Sequence, residues 1–214
     1  MAAKTIVVIG AGGNAREIAQ ICADLEYSVL GFIADRRGEH DSQLLGDFSW
    51  PEKNAVDCFA MGIGNPAAKL KVAQALIRKY PLIQWPALIH PTAYVGPSCK
   101  VARGSIVCVR AVATVNVKID EFAQLNFACT VGHEAEIGDG TLVNPGANLA
   151  GGVRIGQRVM IGTGAQVLQN RSVGDDAIVG AGAVVTKDVP CGATVVGVPA
   201  KVVIDQKVSA GANR

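Results

Sequence analysis

The sequence has few aromatic residues, little net charge and no long apolar run, and each of these features excludes a class of protein. Aromatic residues make up only 5% of its 214 residues, and the formal net charge is +2. A charge this small gives no sign of a nucleic-acid or anionic membrane partner. Residues 1–13 are apolar but short and rich in glycine, which predicts a strand and turn instead of a secretion signal. No apolar run reaches the roughly 18 residues of a membrane span.

Cysteine is present, but without the spacing of a metal site or a disulfide framework. The cysteines form no Cys-x-x-Cys pair and no cluster with histidine, so we expect no zinc and no other bound metal. A chain of this size without a secretion signal also has little need of disulfides. We therefore expect a reduced, cytoplasmic protein. The six cysteines are Cys22, Cys58, Cys99, Cys108, Cys129 and Cys191.

What the sequence does have is an internal repeat. From residue 89 onward every sixth residue is aliphatic, and only Ala113 in this series lacks a branched side chain. The residue four positions later is small or Val each time except at Arg171, and the residue directly after is often Gly, Asn or Asp. The seventeen aliphatic positions are Ile89, Val95, Val101, Val107, Ala113, Ile119, Leu125, Val131, Ile137, Val143, Leu149, Ile155, Ile161, Val167, Val173, Val179 and Val185.

A strict period of six belongs to neither a helix nor a single strand, whose periods are 3.6 and 2. It is the period of a parallel β-helix, in which each hexad forms one side of a triangular coil and 18 residues complete a turn. The repeat therefore predicts between five and six coils, with the aliphatic and the small residue of each hexad inside. We expect the Gly, Asn and Asp that follow the aliphatic residues to adopt unusual backbone angles at the corners.

The segment before the repeat has a different pattern, of strands alternating with helices. This pattern predicts a small Rossmann-like α/β unit, half the size of a dinucleotide-binding fold. We divide the chain into this unit at residues 1–86, the β-helix at 87–204 and a tail at 205–214. The elements predicted in the first unit are strands at residues 5–9, 28–33 and 57–63, a helix at 14–25, and a helix running to about residue 79 that Asn65 caps and Pro66 begins.

A glycine turn follows the first strand of this unit. Glycines let a backbone approach a phosphate, and the N-terminus of the next helix favours an anion. Asp35 lies 23 residues after Gly12, near where ribose-binding carboxylates stand. The turn alone also fits a small α/β cap that binds nothing, and the half-sized unit favours a mononucleotide-linked ligand over NAD. The candidate ligand-binding residues are Gly10, Gly12, Gly13, Asn14, Asp35, Gly64 and Asn65.

Only three histidines are available for catalysis. His40 lies in a polar loop, and His90 precedes Pro91 at the entry to the repeat, where a structural role is favoured. His133 lies inside the repeat with Glu134 beside it. It is either a surface residue or a general base.

The coil period places residues 18 apart on neighbouring coils, roughly 4.8 Å from each other. Gly151 should therefore lie over His133, and Asn144 over Asn126. A base beside a backbone N–H is the minimum for acyl transfer without a covalent enzyme intermediate.

Three motifs together resemble a known family. Asn126 stands seven residues before the His133-Glu134 pair, Ala-Gly-Gly-Val-x-Ile-Gly follows at residues 150–156, and Gly-Val-Pro-Ala-Lys at 197–201. They are similar to those of the sialic-acid O-acetyltransferases and nucleotide-sugar N-acetyltransferases. The resemblance implies a left-handed β-helix and a homotrimer with active sites between subunits. It further implies that the N-terminal unit holds a nucleotide-sugar, such as a UDP-linked 4-amino sugar, and that the β-helix holds acetyl-CoA.

The resemblance also implies roles for individual residues. His133 would be the general base, Glu134 would orient it, Asn126 would help position the site, and the Gly151 amide would steady the oxyanion. Two family histidines are replaced here, by Asn14 and Leu142, which leaves the acceptor open. Residues expected along the acetyl-CoA groove are Leu142, Gly151, Thr163, Ala181, Lys187 and Lys201.

Other functions fit the sequence less well. A carbonic-anhydrase-like hydratase needs three histidines around zinc, but His133 is the only histidine in the middle coils. A nucleotide-dependent oxidoreductase is suggested by the glycine turn alone. Transfer to a sialic-acid hydroxyl, to serine or to another small metabolite stays open, as does a β-helix scaffold without catalytic activity.

Overall fold

The computed structural model describes residues 3–35 and 43–205. His40 lies outside these residues, as does nearly all of the expected tail. Residues 5–79 form the α/β unit, which has four parallel strands in the order β3-β2-β1-β4. A short 3-10 turn at Trp50–Glu52 lies between β3 and β4. The elements in chain order are β1 Thr5–Ile9, α1 Gly13–Asp24, β2 Ser28–Ile33, β3 Leu44–Gly46, β4 Cys58–Met61 and α2 Pro66–Lys79.

The predicted strands and helices are all present in this unit. One strand was missed: β3 has only three residues and pairs with the end of β2 through Phe32 and Leu44. A three-residue segment that includes Gly46 carries too little alternation to be recognised as a strand. The strand expected at residues 57–63 is shorter, because the chain leaves the sheet after Met61 to approach α1.

The second unit is a parallel β-helix in which each of the seventeen hexads supplies one two-residue strand. Each strand ends on the predicted aliphatic residue and pairs in parallel with the strands 18 residues before and after it. The strands are β5 Leu88–Ile89, β6 Tyr94–Val95, β7 Lys100–Val101, β8 Ile106–Val107, β9 Val112–Ala113, β10 Lys118–Ile119, β11 Gln124–Leu125, β12 Thr130–Val131, β13 Glu136–Ile137, β14 Leu142–Val143, β15 Asn148–Leu149, β16 Arg154–Ile155, β17 Met160–Ile161, β18 Gln166–Val167, β19 Ser172–Val173, β20 Ile178–Val179 and β21 Val184–Val185.

The strands form three flat faces. Face 1 contains β5, β8, β11, β14, β17 and β20, face 2 contains β6, β9, β12, β15, β18 and β21, and face 3 contains β7, β10, β13, β16 and β19. Corner 1–2 joins faces 1 and 2, and corner 2–3 joins faces 2 and 3. Face 1 is extended at the end of the coil by β22 Ala193–Val196 and by the antiparallel β23 Lys201–Asp205.

The aliphatic and small residues fill the interior as the repeat predicts. The unusual backbone angles at the corners, however, occur at a different position from the predicted one. Residues with positive φ stand three places after the aliphatic residue, as at Ala128 (φ 52°) and Glu134 (φ 53°). The glycine directly after the aliphatic residue serves a different purpose, since a Cβ on Gly132 would lie 2.6 Å from the backbone nitrogen of Gly151. The expectation of unusual angles at that position was therefore wrong. Those glycines are needed because neighbouring coils approach closely there.

Replacing a core aliphatic residue tests this packing. We expect Leu125→Ala, at a position with no exposed surface, to lower the free energy of unfolding by about 2–5 kcal/mol, because a cavity remains. Leu82→Ala is the matched control, since Leu82 is 93% exposed. Denaturant unfolding of both variants measures the difference. Equal stability of the two would contradict the assigned core.

The α/β unit packs against face 1 of the coil. Outward-facing Leu88 and Ile106 of face 1 are buried with residues of α1 and the sheet. The ring centroids of Trp85 and Phe122 lie 5.1 Å apart across the same boundary, with the rings edge to face. This contact buries the part of face 1 that carries Leu88, Ile106, Gln124 and Leu142, whereas Ile178 farther along the face is 39% exposed. In the described ranges, no helix has the length and apolar character needed to cross a membrane.

Candidate functional site

The His133-Glu134 pair lies at corner 2–3, directly after β12. His133 has 56% of its side chain exposed, and its Nδ1 forms a hydrogen bond with the Glu134 carboxylate. The backbone N–H of Glu134 donates to the carbonyl of Val115 at 2.9 Å. The second carboxylate oxygen accepts from Nδ2 of Asn116 at 3.3 Å. The imidazole is therefore oriented by the Glu134 carboxylate, and the coil below fixes Glu134 through one hydrogen bond to its backbone and one to its side chain.

The Glu134 carboxyl is stabilised in its charged form. The hydrogen bond from His133 and then the one from Asn116 hold its pKa below the usual value for glutamate. Since Nδ1 bonds to this carboxylate, Nε2 is the ring nitrogen left to accept a proton from a substrate.

Gly151 lies over His133, as the 18-residue period predicts. The N–H of Gly152 donates to the carbonyl of His133 at 2.7 Å. A Cβ built on Gly151 would overlap the imidazole ring. Within residues 3–35 and 43–205, the Gly151 N–H donates to no protein acceptor, and Gly151 is buried.

The same corner continues upward to Lys187. It stands 54 residues after His133, or three coils of 18, which corresponds to roughly 14 Å along the axis at the spacing of parallel strands. Its side chain is exposed. An imidazole, a backbone N–H without a protein acceptor and a cation are thus aligned on one corner: His133, Gly151 and Lys187.

Other expected site residues lie elsewhere in the chain. Thr163 and Ala181 follow β17 and β20, and Asn126 follows β11, so all three stand at corner 1–2. Asn126 is buried, and its Oδ1 accepts from the N–H of Phe127 at 2.8 Å. Face 2 separates this corner from His133. Asn126 and His133 are therefore seven residues apart in sequence but are not neighbours within one chain.

Two further residues expected in the acetyl-CoA groove are also separated from His133. Leu142 is buried on face 1, between Gln124 below and Met160 above. Lys201 is exposed at the start of β23, at the end of the coil. Neither lies at corner 2–3.

The candidate nucleotide-binding residues of the α/β unit meet at the carboxyl edge of its sheet. Gly10, with φ 102°, leaves β1 there, and Asp35 stands exposed just after β2. Gly12 begins α1 without a side-chain cap, and a Cβ on it would have no heavy atom within 4 Å. Asn65 has a structural role, since its Oδ1 accepts from the N–H of Ala68 at 2.9 Å and caps α2. Gly13, Asn14 and Gly64 complete this edge.

Asn14 connects the glycine turn to the β-helix. Its Nδ2 donates to the carbonyl of Gly62 at 3.0 Å, and its Oδ1 accepts from Nε2 of Gln124 at 2.9 Å. Gln124 belongs to β11, two residues before Asn126. The carboxyl edge of the sheet therefore lies beside corner 1–2, and face 2 separates that corner from His133 of the same chain. Sequence reasoning missed Gln124, although it is a polar residue in a column where Leu88, Ile106 and Leu142 are apolar.

Lys69 was also missed. It is 1% exposed on α2, and Nζ has no hydrogen-bond partner among the described residues. Burial lowers its pKa to about 7, and the nearby Cys108 opposes this shift. A buried lysine without a partner is rare in proteins.

Lys69 should make stability depend on pH. Between about pH 7 and 10.5 the unfolded chain holds a proton on this amine that the folded chain has lost, so stability rises with pH in this window. At pH 6 we expect Lys69→Met to melt at least about 4 °C above wild type, with a smaller gap near pH 10. Lys71→Met, at an exposed position of α2, is the control. A gap that does not change with pH would contradict the assignment.

His90 has the structural role expected of it. It is buried, and its Nε2 lies 3.2 Å from a carboxylate oxygen of Asp24 at the end of α1. Its Nδ1 lies 2.9 Å from Oγ1 of Thr92. The residues that the structure describes contain no group of three or more His, Cys, Asp or Glu side chains able to hold a metal ion.

Two family models match the chain. The model described as the PglD N-terminal domain matches residues 5–76. The model described as bacterial transferase hexapeptide (six repeats) matches residues 152–187. The two matches fall on the α/β unit and on the β-helix.

Solved structures similar to this chain cover nearly all of it. The acetyltransferase domain of PglB from Neisseria gonorrhoeae FA1090, solved with acetyl coenzyme A, is 32% identical, with a TM-score of 0.87 over 94% of this chain and 100% of that one. A variant of perosamine N-acetyltransferase from Caulobacter crescentus, solved with CoA and GDP-perosamine, is 28% identical, with a TM-score of 0.87 over 94% and 97%. WeeI from Acinetobacter baumannii AYE is 28% identical, with a TM-score of 0.77 over 94% and 100%.

These matches confirm the fold class predicted from the sequence, a Rossmann-like half unit followed by a left-handed parallel β-helix. They also confirm the predicted class of enzyme, an acyltransferase. The chain belongs to the hexapeptide-repeat family of nucleotide-sugar N-acetyltransferases.

Proposed function

We propose that this enzyme transfers an acetyl group from acetyl-CoA to an amino group of a nucleotide-linked sugar, by direct attack. The observation that carries the proposal is the His133-Glu134 pair beneath the free Gly151 N–H. The bound CoA, acetyl coenzyme A and GDP-perosamine of the relatives support the donor and the class of acceptor. Six free cysteines suit a reducing compartment such as the cytoplasm.

The residues have distinct tasks in this reaction. Nε2 of His133 takes a proton from the sugar amine as its nitrogen attacks the thioester carbonyl. Glu134 stabilises the imidazolium that forms, and the Gly151 N–H donates to the oxyanion. When the intermediate collapses, the C–S bond breaks, the amide remains on the sugar, and the CoA thiolate takes the proton from His133.

A neighbouring subunit completes the site in this proposal. The nucleotide-binding edge and Asn126 lie beside corner 1–2, whereas His133 lies at corner 2–3 with face 2 between them. A homotrimer with cyclic symmetry joins two different surfaces of each subunit, and in this proposal corner 1–2 of one subunit contacts corner 2–3 of the next. Thr163 and Ala181 then face the same CoA molecule as Gly151 and Lys187.

Mixed trimers test this arrangement. His133→Ala and Asp35→Ala are each expected to be inactive with the nucleotide-sugar. Subunits carrying one change each, expressed together, should recover about one quarter of the sites, because some sites then take both intact parts from different subunits. Thiol release by the purified mixture measures this recovery. No recovery would mean that one chain supplies the whole site.

The first experiment on the reaction itself is thiol release from acetyl-CoA with a panel of acceptors. The panel contains UDP-, GDP- and dTDP-linked amino sugars and free sialic acid. We expect turnover with one of the amino sugars. Turnover with sialic acid alone would replace the amine by a hydroxyl acceptor. If acetyl-CoA neither reacts nor raises the melting temperature, the enzymatic function fails and a scaffold replaces it.

A further inference from the structure

A buried cluster joins the α/β unit to the β-helix behind the glycine turn. Lys69 stands in the first turns of α2, where helical side chains lean toward the N-terminus and here toward the carboxyl edge of the sheet. Burial lowers the pKa of Lys69 and raises the pKa of the Cys108 thiol, and the electrostatic attraction between the two groups opposes both shifts. Sγ of Cys108 lies 3.9 Å from Nε2 of Gln124, and Gln124 bonds to Asn14. Gln124 therefore links Cys108 of the coil to Asn14 at the start of α1, and Lys69 is buried at the start of α2 at the same edge of the sheet.

The carboxyl edge in front of this pair suits an anion. Two helices begin there, α1 behind Gly12 and α2 behind Asn65, and helix N-termini favour negative charge. The N-terminus of α1 has no side-chain cap, and there is open space next to Gly12. The backbone N–H groups of α1 are thus available to a ligand.

The missing partner of Lys69 indicates what that ligand contributes. None of the ion pairs of residues 3–35 and 43–205 includes Lys69, although a lysine is almost never fully buried without one. Cys108 cannot supply an anion, since burial raises the pKa of its thiol to about 12.

We propose that Lys69 binds the diphosphate of the nucleotide-linked acceptor, which reaches the amine from the glycine turn when the Asn14-Gln124 pair opens. This inference rests on the proposed function, which makes the acceptor a nucleotide-linked sugar. It assigns Lys69 to the recognition of the diphosphate of that acceptor. The diphosphate supplies the negative charge that Lys69 lacks among the described residues of the protein. It lies between the N-terminus of α1 and the amine.

Binding of nucleotides without the sugar tests the inference. Calorimetry with UDP, GDP and dTDP, and with the matching nucleosides, gives the affinity due to the diphosphate. We expect wild type to bind one diphosphate far more tightly than its nucleoside. Lys69→Met should weaken the diphosphate about 30-fold, in the range of a lost hydrogen bond to a charged group, and leave the nucleoside unchanged. Lys100→Met, at an exposed position on face 3 of the coil, should bind as wild type does.

The melting temperature distinguishes a binding role from a packing role. A Lys69→Met protein that melts at or above wild type and has lost the diphosphate affinity supports the inference. Unchanged affinity overturns it, and so does a fall in melting temperature together with equal losses for diphosphate and nucleoside. If wild type transfers acetyl groups but binds no diphosphate, the inference fails while the proposed function stands. If it does neither, both fail.

Discussion

Replacing His133 by alanine should lower the turnover number at least about 100-fold, which is the usual scale for loss of a general base. The imidazole is more than half exposed at a corner, and its ring contributes nothing to the packed interior. The melting temperature should therefore stay close to that of wild type. Thiol release at saturating acetyl-CoA and acceptor measures the loss, since it separates the chemical step from binding.

The control is another exposed polar side chain of the coil. Arg103 is half exposed and pairs with Glu121 at the corner between faces 3 and 1. Exposed ion pairs contribute little to stability, so Arg103→Ala should fold and react as wild type does. A His133→Ala enzyme with near wild-type turnover would remove this residue from the mechanism.

Adding one methyl group over the imidazole should have an effect of similar size. Gly151→Ala places a Cβ where the His133 ring lies. The backbone at Gly151 accepts a side chain, because equivalent positions of the same corner on other coils carry Val115, Gln169 and Lys187. The ring must therefore rotate away, and we expect turnover to fall at least about 100-fold, because both the base and the oxyanion donor lose their geometry.

A double-mutant cycle checks the physical cause. If the alanine acts by displacing the ring, it should cost much less in the His133→Ala background than in wild type, because the ring is already absent. Additive losses would show that Gly151 acts independently of His133. Normal turnover by Gly151→Ala would mean that the ring occupies another position during the reaction.

The β-helix could be predicted in detail from sequence because each six-residue repeat carries the pattern that determines its own strand. Each hexad places Leu125, Val131 or Ile137 inward on its own, so the period fixes both the strand ends and the stacking of Gly151 on His133. The same reasoning gave the wrong cause for the glycines at the corners. Close approach between coils depends on residues 18 apart, which a reading of single positions does not consider.

The contacts between the two units could not be predicted from sequence. Gln124 and Lys69 have their roles only because the α/β unit docks on face 1, and no periodicity encodes that docking. Asn126 illustrates the same limit. Its distance from His133 along the chain is short, but face 2 of the coil separates them. The sequence motif joins residues that the structure assigns to different corners.

The separation of inward from outward positions in the coil constrains how the sequence of this enzyme can evolve. An outward residue such as Leu142 or Gln124 can be exchanged without altering the shape of the coil, because the packing that holds the coil together lies on the other side of the strand. A single deletion between residues 133 and 151, by contrast, shifts every later residue by one position in the hexad, turns inward side chains outward and takes Gly151 away from His133. New acceptor specificities should therefore arise by substitution of outward residues. The number of residues in each coil should vary far less among related enzymes than the identity of those outward residues.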